Sequence, residues 1–263
     1  MLIVLFILIL TGLYAFLLNL IPVSNWFLFL WIPLGLILGV TTFAVIFLLM
    51  IKFCNKDNPK GAVRHLILKS ATHLIQWFQN IHVKIEGLEN IDKNEAYLIV
   101  ANHKSQMDPV LMYNYMGIKL TAIGKSTLFT NKFMQAVAKT YGAISLNRDN
   151  DREAVKSLME AMKRITDNHI SVIVYPEGGI KSREFEEMKD LKAGAYKIAL
   201  KTHAPVLPVT IVGSSKNHGM PKFKRKDIKI IVHKPITYEE YAEMNTTELG
   251  EKCMEIINSS ILN

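Results

Sequence analysis

The chain has 263 residues, half of them hydrophobic, and a formal net charge of +8. Such a basic balance raises nucleic-acid binding, but no helix-turn-helix, zinc-ligand or RNA-binding signature accompanies it, so a membrane surface or phosphorylated substrates explain it better. Two cysteines, Cys54 and Cys253, make no disulfide framework, which agrees with a reducing compartment.

From Met1 to Ile51 there is no Asp, Glu, Lys, Arg or His. A hydrocarbon core of about 30 Å takes roughly 20 apolar residues per helix. The charge-free region holds two such lengths, Leu2 to Leu20 and Trp26 to Ile51, separated by Ile21-Pro22-Val23-Ser24-Asn25, whose proline and small polar residues suit a reversal. Residues 1–51 are therefore expected to form a membrane-anchoring helical hairpin that either spans the bilayer or enters one leaflet. A cleaved signal peptide fits poorly, because no Lys or Arg precedes the apolar run and no small-residue cleavage pattern comes after it. Residues 52–81 read as a basic linker and an amphipathic helix. Lys52, Lys56, Lys60, Arg64 and Lys69, opposed by Asp57 alone, predict a cytoplasmic position for the rest of the chain. They can also attract anionic lipid. From Ala62 to Ile81, Val63, Leu66, Ile67, Leu74, Ile75 and Phe78 recur at mostly three- and four-residue steps, a helical pattern whose apolar face meets either the adjoining domain or the bilayer interface.

The stretch beyond residue 51, about 210 residues, suffices for one domain with a substantial core, and residues 82–263 are expected to form it. Strands are expected at His82 to Glu86, Tyr97 to Ala101, Leu120 to Ile123, Ala143 to Leu146, Ser171 to Tyr175, Val206 to Val212 and Ile228 to His233. Helices are expected at Pro109 to Met116, Asn131 to Thr140, Asp151 to Asn168, Leu191 to Thr202 and Thr246 to Ile261. This alternation implies an α/β layered domain with a largely parallel, mixed sheet flanked by helices.

Two constellations could carry chemistry. His103 lies just past the strand candidate Tyr97 to Ala101, where open α/β sheets place ligands, and Asp108 opens the next helix before Pro109. A carboxylate at that spacing can orient an imidazole as a general base toward a substrate hydroxyl, although an Asp before Pro is also a common helix cap. The second constellation is Val172 to Arg183, where an apolar strand runs into Glu177-Gly178-Gly179 and two cations, Lys181 and Arg183. Such a loop can bring backbone N–H groups and positive charge to an anion, or be a solvated turn. The basic run Lys222 to Lys226 reads as a solvated loop or a contact for headgroups, nucleotide phosphates or acidic carrier protein.

Together, Asn102-His103-x-Ser105-x-x-Asp108 and the later Tyr175-Pro176-Glu177-Gly178 resemble the glycerolipid acyltransferase family, and within it the bacterial 1-acylglycerol-3-phosphate acyltransferases. Gly124-Lys125-Ser126-x-Leu128, Gly142-Ala143-Ile144-x-x-Asn147-Arg148, Leu191-Lys192-x-Gly194-Ala195 and Ala204 to Val209 look like that family's other blocks, in order. The resemblance covers about residues 65–240. It implies transfer of an acyl group from acyl-CoA or acyl-carrier protein to the sn-2 hydroxyl of 1-acylglycerol-3-phosphate, giving phosphatidic acid at the cytoplasmic face of the cell membrane, with no further cofactor. It makes His103 the general base and Asp108 its partner, and it places Asn102, Ser105, Lys125, Arg148, Glu177, Gly178, Gly179, Lys181 and Arg183 in substrate binding. Two positions depart from the pattern. The family usually continues Glu-Gly as Thr-Arg-Ser, where this chain has Gly179-Ile180-Lys181-Ser182, and Lys132 stands where a proline is common. The missing arginine keeps another lysolipid acceptor open as an alternative. A lipid or thioester hydrolase is a further one, although no Gly-x-Ser-x-Gly elbow occurs.

Overall fold

The charge-free N-terminal stretch folds as two helices, α1 (Leu2–Asn19) and α2 (Leu28–Phe53). The protein is described here by a computed structural model that covers residues 2–20, 28–53, 62–130, 132–180, 182–217 and 224–262. The expected reversal at 21–25 lies outside these residues, as do Cys54, Lys56, Lys60, Lys181, Lys222 and Phe223. Chain contacts divide the molecule into two units, Met1–Ile75 and Gln76–Asn263.

In the first unit α1 and α2 pack on small residues. Gly35 and Gly39 are buried. A Cβ at Gly35 would sit 2.9 Å from the Thr11 carbonyl oxygen, and one at Gly39 would sit 3.1 Å from Thr11 Oγ1. This is the close approach that a small-x-x-x-small stripe permits. Tyr14 Oη and Thr42 Oγ1 share a hydrogen bond of 2.9 Å across the pair. The large apolar side chains face outward, among them Leu8, Ile9, Phe16, Leu30, Ile32 and Ile37. Taken over the described residues, no helix is long and apolar enough to cross a membrane. Helix α3 (Ala62–Phe78) comes next. It buries Leu68, Thr72 and Gln76 and exposes Ile75, Trp77 and Phe78.

The second unit is built on a seven-stranded sheet: β1 (Ile81–Glu86), β2 (Leu98–Ala101), β3 (Leu120–Lys125), β4 (Ile144–Leu146), β5 (Ser171–Val174), β6 (Val206–Val212) and β7 (Lys226–Val232). Their order is β1-β7-β6-β2-β5-β3-β4. Strand β2 is parallel to both neighbours, with Ile99 opposite Ile173 of β5 and Leu207 of β6. Strands β3, β4 and β5 are also parallel, whereas β6 and β7 are antiparallel. The sheet is mixed because β7 lies antiparallel to β6, with Val209 opposite Val232.

Helices cover both faces: α4 (Asp108–Tyr115), α5 (Lys132–Thr140), α6 (Asp151–Thr166), α7 (Lys197–Thr202), the single turn α8 (Tyr238–Tyr241) and α9 (Thr246–Leu262). The period of two along each strand assigns side chains to opposite layers. Leu98, Val100, Val172, Val174 and Val206 pack with Ala161, Ile198, Leu249, Cys253 and Ile257. Tyr97, Ile99, Ala101, Ile173 and Leu207 pack on the other side with Leu111 and Met112 of α4 and with Met116 just past it. With both faces covered, β2 and β5 are buried along their whole lengths, which is why they read as continuous apolar runs.

Candidate active site

Because β2 to β6 run parallel, their carboxyl ends share one edge of the sheet, and the sequence places His103, Lys125, Arg148 and Glu177 at those ends or just past them. His103 leaves β2 in a short loop that Asp108 holds. His103 Nδ1 lies 3.0 Å from Asp108 Oδ2. The same oxygen accepts the backbone N–H groups of Lys104 at 2.9 Å and Ser105 at 2.8 Å. Asp108 is fully buried and its side chain caps the loop upstream of it, while Met107 occupies the capping position of α4. A carboxylate only accepts, so Nδ1 donates to it and Nε2 is left as the basic nitrogen. Tyr175 stacks on the imidazole at 4.1 Å between centroids and 22° between planes. Burial, and then the nearby charge of Asp108, push the Tyr175 hydroxyl well above the ordinary tyrosine range, so the stacked ring stays neutral.

Glu177 lies against the same loop from the β5 side. Its Oε2 accepts the His103 N–H at 2.9 Å, and its Oε1 meets Lys104 Nζ at 2.5 Å. Both side chains of this ion pair are 6% exposed. Sequence assigns Glu177 to substrate binding; in the structure both carboxylate oxygens are engaged inside the protein, on the loop that carries His103. Asn102 and Ser105 also depart from that expectation. Asn102 is wholly buried, donating to the carbonyls of Ile211 and Glu186 and accepting from the Ile211 N–H, so both of its donors are engaged inside the fold. Ser105 is buried and its Oγ accepts the Met107 N–H, shaping the turn into α4.

Of the remaining expected residues, Lys125, Arg148 and Arg183 bring positive charge past the strand ends, and Lys181 lies outside the described residues. Arg148 is exposed beyond β4 and donates to the Gly178 carbonyl at 2.6 Å. Gly178 has φ +81°, and a Cβ there would collide with Arg148 Nη1 and approach Lys192 Cε to 2.9 Å. The left-handed backbone favours glycine there, and any side chain would also have to displace the ends of Arg148 and Lys192. Gly179, at φ +140°, opens onto free space. Arg183 reaches back to the Lys104 carbonyl at 3.3 Å. Lys125 stands exposed at the end of β3. Lys104, Tyr175 as a stacking partner, and Lys192 have no role assigned from sequence. Lys104 gives no signal there, since a lysine between two motif residues looks solvated until its burial is seen.

Among its described residues the 175–192 segment has no helix or strand, but it is fastened at several points. The Lys192 N–H bonds to the Pro176 carbonyl at 2.9 Å. Asn258 of α9 accepts from the Met188 N–H at 2.8 Å and donates to its carbonyl at 3.0 Å. Glu186 Oε1 accepts from the N–H groups of Gly213 and Ser215.

The family model described as Acyltransferase matches residues 82–212. A probable 1-acyl-sn-glycerol-3-phosphate acyltransferase of Mycoplasma pneumoniae is 30% identical over 196 residues, covering 72% of this chain and 70% of the relative. A chloroplastic 1-acyl-sn-glycerol-3-phosphate acyltransferase of Brassica napus is 30% identical over 185 residues, 66% of this chain and 50% of that protein. The chain spans half to three fifths of the length of several curated relatives it matches. Among solved structures, the 1-acyl-sn-glycerophosphate (LPA) acyltransferase PlsC of Thermotoga maritima superposes with a TM-score of 0.59 at 25% identity, over 81% of this chain and 86% of that one. The matched region holds the sheet's central strands and the whole His103–Asp108–Glu177 cluster, and on this likeness the chain belongs to the acyltransferase family.

Proposed function

We propose that the chain moves a fatty acyl group from an acyl thioester, acyl-CoA or acyl-carrier protein, to the sn-2 hydroxyl of 1-acylglycerol-3-phosphate, giving phosphatidic acid. The observation that carries this reading is the His103–Asp108 pair at the carboxyl end of the central strand, with Nε2 as the available base. The relatives of Mycoplasma, Brassica and Thermotoga act, by their names, on that acceptor. His103 Nε2 takes the hydroxyl proton as the acceptor oxygen bonds to the thioester carbonyl carbon. The tetrahedral intermediate then collapses, the C–S bond breaks, and the imidazolium returns its proton to the leaving thiolate. Arg148, Arg183 and Lys125 form the phosphate-facing side of the site, with Gly178 and Gly179 letting the anion approach the backbone and Lys181 contributing from the same loop. The expected family arginine is replaced by Ile180, and Arg183 supplies a cation from nearby in sequence.

The same substitution favours a second reading, another lysolipid acceptor, on the observation that Gly179 and Ile180 offer no charge where the family has one. We further propose that residues 1–51 anchor the protein in the membrane, that 52–81 lie along its interface and that 82–263 work on the cytoplasmic face. Supporting this are the outward apolar faces of α1 and α2 around a glycine seam, exposed Trp77 and Phe78 on α3, and the basic residues between Lys52 and Lys69.

The test is His103→Ala, assayed with a panel of lysophospholipids and both thioester donors. Loss of a general base should lower turnover by about 10² to 10⁴ with the fold intact. Near-normal transfer by the folded variant would sink the mechanism. Thioester consumption by the parent protein without any acceptor would favour hydrolysis instead.

A further inference from the structure

The buried Lys104–Glu177 ion pair takes no part in the proton transfer from acceptor to leaving group. Removing two charges from water is costly, and one such pair beside a catalytic loop needs a reason. Lys104 is held at three points. Its N–H donates to Asp108, its carbonyl accepts from Arg183, and its ammonium meets Glu177. Glu177 in turn holds the His103 N–H with its second oxygen. One residue therefore joins the loop after β2, the start of α4 and the loop after β5.

We propose that Lys104 and Glu177 are a positioning pair for the reaction: Glu177 fixes the backbone of His103 and does not bind the acceptor, and Lys104 supplies the countercharge that keeps the base usable beside two carboxylates. This rests on the reading of His103 as the general base.

The charged and titratable groups around the imidazole come from every adjoining segment. Asp108 and Lys104 approach from its own loop and from α4, and Tyr175 and Glu177 from the segment after β5. Arg183 meets the Lys104 carbonyl, while Arg148 and Lys192 surround Gly178. Counted at their formal charges, Asp108, Glu177 and Lys104 sum to about −1 around the imidazole. Deleting Lys104 leaves two uncompensated carboxylates, which favours a proton on the ring. Deleting the Glu177 charge does the opposite. A residue that only supported the fold would lower activity without moving the pH dependence in opposite directions.

The experiment compares Lys104→Met, Glu177→Gln, the double variant and Lys104→Arg, all in the full chain. Both substrates are titrated, pH–rate profiles recorded, and folding checked by circular dichroism. Both single variants should lower kcat on the order of 10- to 100-fold, as a displaced base does, with little change in acceptor KM. The acid limb of the profile should move to higher pH in Lys104→Met and to lower pH in Glu177→Gln. A shift of about half a unit or more is expected for a charge within roughly a nanometre at an effective dielectric of about 20. The charge-balanced double variant and Lys104→Arg should return the limb toward the parent position. These two keep the test decisive if Lys104→Met, with Glu177 buried and unpaired, does not fold. Limbs that stay put in all folded variants would overturn the proposal. So would a Glu177→Gln protein whose loss lies wholly in acceptor KM, since that marks a direct ligand. An active His103→Ala would instead overturn the underlying base reading, so the two failures are distinguishable.

Discussion

Asp108 Oδ2 gathers the imidazole and two backbone N–H groups onto one atom, and this concentration decides what the residue does. The strand-to-helix spacing makes the His103–Asp108 pair legible, because a short loop leaves few places for the two side chains to go. The same spacing also fits a helix cap, and the structure places the carboxylate on the upstream loop. Glu177, Asn102 and Ser105 are legible as members of the site but not in their roles, since only burial and partners tell a ligand from a support. The basic residues past the strand ends give a prediction at this scale. Arg148 reaches the Gly178 carbonyl from beyond β4 and Arg183 lies on the same loop as Gly178, and each can offer charge-assisted hydrogen bonds to a phosphomonoester. Arg148→Ala and Arg183→Ala should each raise acceptor KM by about 10-fold or more while donor KM moves little, given the usual strength of ionic hydrogen bonds. Unchanged acceptor dependence in the double variant would shift phosphate recognition to Lys125 or point to an acceptor without a terminal phosphate.

At the level of elements, strand β6 falls where its apolar run predicts, and α6 and α9 differ by a residue or two at their ends. Continuous burial on both faces gives such strands an unambiguous pattern, and long amphipathic helices repeat their pattern several times. The antiparallel pairing of β7 is not legible, since pairing direction depends on what lies between strands and is not written in the strands themselves. Helix α8, a single turn, is too short for periodicity to register. The 175–192 segment carries no repeating pattern at all, and its order comes from distant partners such as Asn102 and Asn258. Asn258→Ala would leave the Met188 N–H and carbonyl without their partner. The expected cost is about 1–3 kcal/mol, read as a lowered thermal midpoint. Acceptor KM should rise with it, because the loosened segment also carries Arg183. A lowered midpoint with unchanged acceptor binding would mean that the latch serves the fold alone.

Over the whole molecule, charge and apolarity are segregated along the chain, with the net charge of +8 lying entirely beyond residue 51. This organisation is the most legible of all, because it depends on composition over tens of residues. If the proposed orientation is correct, cysteines engineered after residue 70 in a background lacking Cys54 and Cys253 should resist an impermeant thiol reagent in intact cells. They should react once the membrane is opened. Efficient labelling of intact cells would reverse the assignment.

The Asn258 latch has a temporal meaning as well. A ribosome releases α1 and α2 before the strand that leads into His103, and the last turns of α9 after both. Met188 gains its fastening only when Asn258 has emerged, so the segment bearing Arg183 is completed after every other part of the site has been made. A nascent chain thereby holds His103 and Asp108 before its 175–192 segment is fastened, and a chain broken off short of Asn258 lacks that fastening altogether.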